Sequence, residues 1–190
     1  MKCQETLTHK KIIQAALAIL DQKGEKGLTM RRLATALDVK AASIYHHIPS
    51  KDILIQKIVD YLIEKVFISS EKPENLTEAI YSFSMTYREI LRMHPGAVPL
   101  VATNPVSVDK GAELVKPLLS LMKKEITEEQ ALQMIQSIAV FINGHALAEV
   151  GNWPEPPTAS QSYYNEWFET GINALIIGFK KQYKMDKENK

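Results

Sequence analysis

Between Lys40 and His47 the chain gathers an ammonium, a hydroxyl, a phenol and two imidazoles: Lys40, Ser43, Tyr45, His46 and His47. Groups of this kind supply hydrogen bonds to phosphate oxygens and to base edges. Ala41, at the start of the same stretch, is small enough for the backbone to approach a surface closely. Farther along, His145 and Glu149 stand four residues apart, on one face of a helix. They are either polar groups of a pocket or a surface pair. Catalytic signatures are not found: the sequence has no nucleophile motif, no Gly-rich phosphate loop and no HExxH, so we expect no enzyme. Cys3 is the single cysteine, which excludes an internal disulfide and offers no setting for catalysis. No metal and no cofactor is expected, because a hard-metal site needs several oxygen or nitrogen ligands together.

Helices must hold these groups. Thr8 to Lys23 is predicted as a helix, with Ile12, Ile13, Ala16, Leu17, Ile19 and Leu20 as its apolar stripe and Thr8 as its cap. Gly24 and Gly27 bracket a turn. Thr29 caps a short helix, MRRLATALD, and a second short helix spans about 41–47 before Pro49. Ser50 caps a longer one that continues to about Ser69. The polar break EKPEN (71–75) is the candidate boundary. Helical periodicity resumes over 76–93, HPG (94–96) breaks it, and Pro99 and Pro105 keep the next stretch irregular or in short helices. Further helices are predicted over 110–124, 128–150 and 163–183, with a proline-rich loop at 152–162 and a polar tail. No alternating strand pattern appears, so the fold class is all-α. The organisation is a helix-turn-helix unit over 1–50, a connecting helix over 51–70 and a larger helical unit over 71–190.

Composition agrees with a folded chain. Apolar residues are 45% and charged residues 24%, which argues against disorder. The net charge is only +1, but its distribution is uneven. Residues 1–66 hold 11 Lys and Arg against 7 Asp and Glu; residues 67–190 hold 12 against 15. A basic N-terminal third on a slightly acidic body suits a DNA-contacting module joined to one that does not touch DNA. The polar start and the lack of an apolar run near the ~20 residues a bilayer requires predict a soluble, cytoplasmic protein with no membrane partner.

Two short helices joined by a tight turn, with a longer helix on each side, form the pattern of a helix-turn-helix, whose second helix enters the major groove. The whole block resembles the TetR family of regulators: IIQAALAILDQKG, then GLTMRRLATALDV, then SIYHHI with its central tyrosine, then SKDILI. The resemblance implies DNA contacts at Thr29, Arg31, Lys40, Ala41, Ala42, Ser43, Tyr45, His46 and His47, and a phosphate contact at Lys51. Tyr45 also lies at the edge of the apolar stripe, where a partly buried ring would fit. Arg31 and Arg32 are adjacent and point in different directions.

The C-terminal part resembles the same family more loosely, through SMTYREILRMHPGAVPLVATNP, INGHALAEVG and FETGINALIIGF. This likeness implies a drug-type pocket and a homodimer built on a four-helix bundle from the helices at 128–150 and 163–183. Small residues there permit close contact, and Ile176, Ile177 and Phe179 would leave an apolar surface on a lone chain. Burial within one subunit is the other reading. The pocket would use Phe83, Tyr87, Leu100, Thr103, Asn104, Phe141, His145 and Trp167, with Glu149 as a further polar group. Tetracycline repressors bind a magnesium–drug chelate through a histidine in the segment similar to AVPLVATNP. Leu100 holds that place here and Asn104 that of a neighbouring arginine, so a tetracycline–magnesium effector is not expected. The expected partners are operator DNA, a second copy of the chain and a small-molecule effector of unidentified chemistry. The competing reading is a DNA-binding regulator that uses its body for dimerisation or a protein partner.

Overall fold

The computed structural model describes residues 6–69, 75–122, 126–151 and 157–185. The head of the molecule has three helices: α1 (His9–Gly27), α2 (Met30–Ala36) and α3 (Ala41–His47). The Thr8 hydroxyl caps α1 by accepting the Lys11 amide at 3.3 Å. The expected stripe Ile12, Ile13, Ala16, Leu17, Ile19 and Leu20 is buried. α1 runs past the predicted end at Lys23, but Gly24 interrupts it with φ 63°, a conformation that costs glycine little. Thr29 caps α2, accepting the Arg32 amide at 3.1 Å. The turn into α3 passes through Asp38 at φ 53° with no glycine in it; a short polar side chain tolerates that left-handed conformation. Ile44 and Ile48 are fully buried and fasten α3 to the head.

α4 (Lys51–Ser69) leaves the head, and Ser50 caps it by accepting the Ile53 amide at 3.2 Å. Its buried positions Leu54, Ile58, Leu62 and Val66 recur every four residues and face first the head, then the body. The body contains α5 (Leu76–Met93), a 3-10 turn (Pro95–Ala97), α6 (Val98–Thr103), α7 (Val108–Met122), α8 (Glu128–Val150) and α9 (Gln161–Tyr183). The stretch expected to be irregular or in short helices is therefore the turn and α6. Pro99 sits in the first turn of α6, where its missing N–H leaves nothing unbonded. α9 starts two residues before the predicted Tyr163 because the Ser160 hydroxyl caps it, accepting the Tyr163 amide at 3.2 Å. Asn75 caps α5, and Thr127 with Gln130 forms a capping box for α8. α5 packs against α4, α8 and α9, and α8 against α5, α6, α7 and α9.

One sequence expectation needs correction. α8 is long and apolar enough to cross a membrane by length and composition, with a mean hydropathy of 1.2 over its best window. Packing accounts for part of that composition: Ala131, Met134, Ile138, Ile142 and Ala146 are buried in the bundle, while 33% of that window in all is buried. Cys3, most of the polar break at 71–75, part of the loop at 152–162 and the tail from 186 lie outside the described residues.

Candidate nucleic-acid interface and the polar centre of the body

α3 presents its polar residues outward. Lys40, Ala42, Ser43, Tyr45 and His46 are exposed, and Ala41 and His47 are half-buried. Tyr45 is 48% exposed, so its ring is partly covered and partly open to a ligand. The two adjacent arginines of α2 divide as their directions required. Both are exposed, but Arg32 turns back to donate to the carbonyl of Gly27. Thr29 is exposed although its hydroxyl caps α2, and an oxygen with two lone pairs can accept again. Lys51 opens α4, with Nζ 4.0 Å from Oε1 of Glu25. All the residues expected to contact DNA thus belong to α2, α3 and the first turn of α4 or the turns before them. The sequence reading passed over His9. Its Nε2 donates to the carbonyl of His47 at 3.0 Å, which places the start of α1 beside the end of α3. The signal that could have found it is its spacing, three and four residues before Ile12 and Ile13, which puts it in line with the apolar stripe of α1.

In the body, the pocket residues expected from the sequence separate into neighbouring groups. Phe83, Tyr87 and Leu100 are buried. Tyr87 donates its hydroxyl to Oδ1 of Asn143 at 2.8 Å, and burial raises its pKa so that it remains a donor. Thr103 is exposed and donates to the carbonyl of Pro99 at 2.7 Å; Asn104 donates to that of Leu100 at 2.9 Å, closing the end of α6. His145 lies among rings, with the Trp167 centroid at 4.6 Å, Phe168 at 5.0 Å and Phe141 at 6.1 Å. Trp167 is 41% exposed at the edge of this cluster.

Arg88 was not foreseen from the sequence. Its guanidinium grips the Glu149 carboxylate with two hydrogen bonds of 2.9 and 2.8 Å, reaches Oδ1 of Asn165 at 2.8 Å, and lies over the ring of Phe168. Gln161 donates to Glu149 at 2.6 Å, and Arg92 Nε approaches it at 3.3 Å. Burial by itself would raise the Glu149 carboxyl, but the bonds from Arg88 and Gln161 and the charge of Arg88 outweigh it and hold the pKa below the usual carboxylate range. His145 Nε2 donates to the carbonyl of Tyr164 at 3.0 Å, and Nδ1, 3.5 Å from Glu149, has no hydrogen-bond partner. Burial and the nearby Arg88 push its pKa down, against the opposing pull of Glu149 and the Tyr164 carbonyl. The pair is therefore internal, and the surface alternative fails.

The segment between α5 and α7 is tied to the rest at both ends. Asp21 of α1 holds His94 Nδ1 at 2.8 Å and the Gly96 amide at 3.2 Å. A Cβ at Gly96 would overlap the carbonyl of Leu20, so only glycine allows this approach. At the other end, Asp60 of α4 accepts from the Ser107 amide and hydroxyl, both at 2.8 Å, and Gln56 donates to the Pro105 carbonyl at 3.0 Å. The clefts on the molecule include two formed by described residues. One, of about 580 Å³, runs between residues 6–7 and α3. The other, of about 450 Å³, lies between the end of α1, the Pro95–Gly96 turn and the end of α8. None of the expected pocket residues lines either cleft.

The outer faces of α8 and α9 carry Val140, 73% exposed, Leu147, and Ile177, 65% exposed. Gly144 and Gly178 on these helices face open space. Ile176, expected on this surface, is instead buried in the core of its own chain, and Phe179 is half-buried. The phase of α9 turns Ile177 outward and its neighbour inward.

The model of bacterial regulatory proteins of the tetR family matches residues 12–58. An HTH-type transcriptional regulator of Saccharopolyspora erythraea is 34% identical over 101 residues, 53% of this chain and 43% of that protein. The chain thus spans less than half the length of this relative. The tetracycline repressor protein class E of Escherichia coli is 26% identical over 190 residues, covering 90% of both chains. Among solved structures, a TetR variant from Acinetobacter baumannii in complex with minocycline superposes with a TM-score of 0.79 at 20% identity, covering 94% of this chain and 99% of that one.

Proposed function

The chain belongs to the tetR family of bacterial regulatory proteins, and we propose that it acts as a homodimeric repressor released from a pseudo-palindromic operator by a small molecule. The observation that carries this reading is the outward face of α3. Ile44 and Ile48 bury one side of the helix completely, while Lys40, Ser43, Tyr45 and His46 stand free on the other. One such helix per subunit requires two half-sites and hence a symmetric dimer. Val140, Leu147 and Ile177, with the open glycines between them, form the apolar surface for that pairing.

The effector would enter the body near Phe83, Tyr87, Phe141, His145 and Trp167, beside the charged pair Arg88–Glu149. Neither cleft reaches these residues, so binding there requires the side chains to part, and the aromatic rings suit a planar, largely apolar molecule. The bare Nδ1 of His145 suits a hydrogen-bond donor on it. Leu100, Thr103 and Asn104 would act as lever more than lining. They belong to α6, whose flanks are tied to α1 through Asp21 and to α4 through Asp60. A ligand that prefers a shifted α6 then prefers a different spacing of the two α3 helices, and that differential affinity is what releases DNA.

The test is operator selection from random DNA with the purified chain, followed by titration at several salt concentrations. A palindromic consensus is expected. Lys51→Ala should weaken binding to all sequences alike and lower the salt slope by about one. Selection of no sequence, with no retained DNA, would remove the proposal.

A further inference from the structure

The start of α1 reaches the reading face of α3. The His9 ring stands edge-on to that of His47, centroids 5.6 Å apart, and His46 stands edge-on to His47 at 5.7 Å. Three imidazoles thus form a ladder from one helix to the other, fixed by the bond from His9 Nε2 to the His47 carbonyl. Beside it opens the cleft of about 580 Å³, with Thr6 and Leu7 on one wall and Ala42, Ser43 and His46 on the other. Anything that seats on the exposed face of α3 therefore also meets the residues that begin the chain's first helix.

Given that α3 is the DNA-reading helix, we propose that this cleft seats a backbone phosphate of DNA and that His9, His46 and His47 take up protons as it binds, so that affinity for DNA rises as the pH falls. Imidazole ordinarily titrates near pH ~6.5, and a phosphate within a few ångströms favours its charged form. His9 is arranged for this. Its Nε2–H is committed to the His47 carbonyl in both the neutral and the charged state, so an added proton goes to Nδ1 and the bond is kept. The His9 ring does not line the cleft but stands edge-on to that of His47, which does, so a phosphate seated there acts on it through its charge.

The charged groups on the elements around the ladder are mostly basic: Lys10 and Lys11 of α1, Arg31 and Arg32 of α2, Lys40 before α3 and Lys51 of α4, against Asp38 and Asp52. A phosphate seated in the cleft brings a negative charge beside the imidazoles, and that ties proton uptake to binding. The complex then holds more protons than the free components. The gain in affinity is complete below the pKa values of the free protein and is lost as the pH rises through those of the complex.

Fluorescence anisotropy with the selected operator, at fixed ionic strength from about pH 6 to about pH 8, measures this directly. The dissociation constant should fall by up to about tenfold per pH unit for each proton taken up. The salt slope should be steeper at the acid end, because more cationic groups then meet phosphates. His9→Gln should lower the pH slope by its share, and the triple variant His9→Gln, His46→Gln, His47→Gln should flatten it. A wild-type protein that binds DNA with a constant independent of pH overturns the ladder and leaves the DNA reading intact. A wild type that binds no DNA at any pH overturns both. Should the triple variant fail to fold, His9→Gln alone decides, and an unchanged slope rules against the proposal.

Discussion

The carboxylate of Asp21, near the end of α1, lies 2.8 Å from Nδ1 of His94 at the start of the turn leading into α6. The same carboxylate accepts the amide of Gly96. One side chain of the head therefore holds both a side chain and the backbone of the body, at the place where Gly96 touches Leu20.

Removing this tie should separate stability from signalling. Asp21→Ala deletes one charged hydrogen bond and one to a backbone amide, and should cost about 1–3 kcal/mol in urea denaturation. DNA affinity without effector should change little, since α3 is held by Ile44 and Ile48. The ratio of DNA affinities with and without effector should shrink. An unchanged ratio would show that α4 alone carries the signal.

The buried ion pair makes a sharper test. Arg88 and Glu149 side chains are only 5% and 6% exposed, so Arg88→Met leaves the buried carboxylate with only Gln161 and the more exposed Arg92 as partners, at a cost of up to about 3–5 kcal/mol. The double variant Arg88→Met, Glu149→Leu should recover most of that loss. Equal destabilisation in the single and double variants would mean that Arg88 acts through its packing on Phe168 instead.

Acid sensitivity should begin at His145. Its folded-state pKa is lowered, chiefly by burial, so the unfolded chain takes up a proton from about pH 6.5 downward while the folded chain resists. Stability should fall as the pH drops below that point. Glu149 acts in a lower window. Its depressed pKa gives stability that is present above the ordinary carboxylate pKa and is lost as the pH falls through the folded value. His145→Gln should lower stability at neutral pH and flatten the upper window only. A variant that keeps the full wild-type slope between neutral pH and about pH 5.5 would assign that window to another group.

Two adjacent isoleucines should respond in opposite ways. Ile177→Glu places a charge on the exposed face of α9 and should give a folded monomer by analytical ultracentrifugation. Ile176→Glu buries the charge within one chain and should unfold it, at a cost of several kcal/mol. A stable dimer of Ile177→Glu at micromolar concentration would place the interface elsewhere.

The head was largely legible in the sequence because its signals are local. The stripe of α1, the cap at Thr29 and the packing of Ile44 each follow from neighbours within a turn or two. The polar centre of the body was not, because its members meet only after folding. Arg88 stands between Tyr87 and Glu89 and has the local pattern of a solvated charge, while its partner is 61 residues away. Ile176 and Ile177 are equally apolar, so composition could not say which one points outward. His9 lies on the apolar side of its own helix, three and four residues before Ile12 and Ile13, but only the approach of His47 gives its ring a partner.

The register of α9 against α8 is set by Glu149 near the end of one helix and by Gln161 and Asn165 near the start of the other: Gln161 donates to Glu149, and Arg88 bridges Glu149 and Asn165. That register is therefore fixed by side chains of the two helices themselves, on either side of the junction between Gly151 and Pro157. Sequence inserted there, even a folded reporter domain, should be carried without disturbing the bundle. A circularly permuted fluorescent protein grafted at that junction would report any strain passing between the two helices, making the regulator an optical sensor for whatever enters its body.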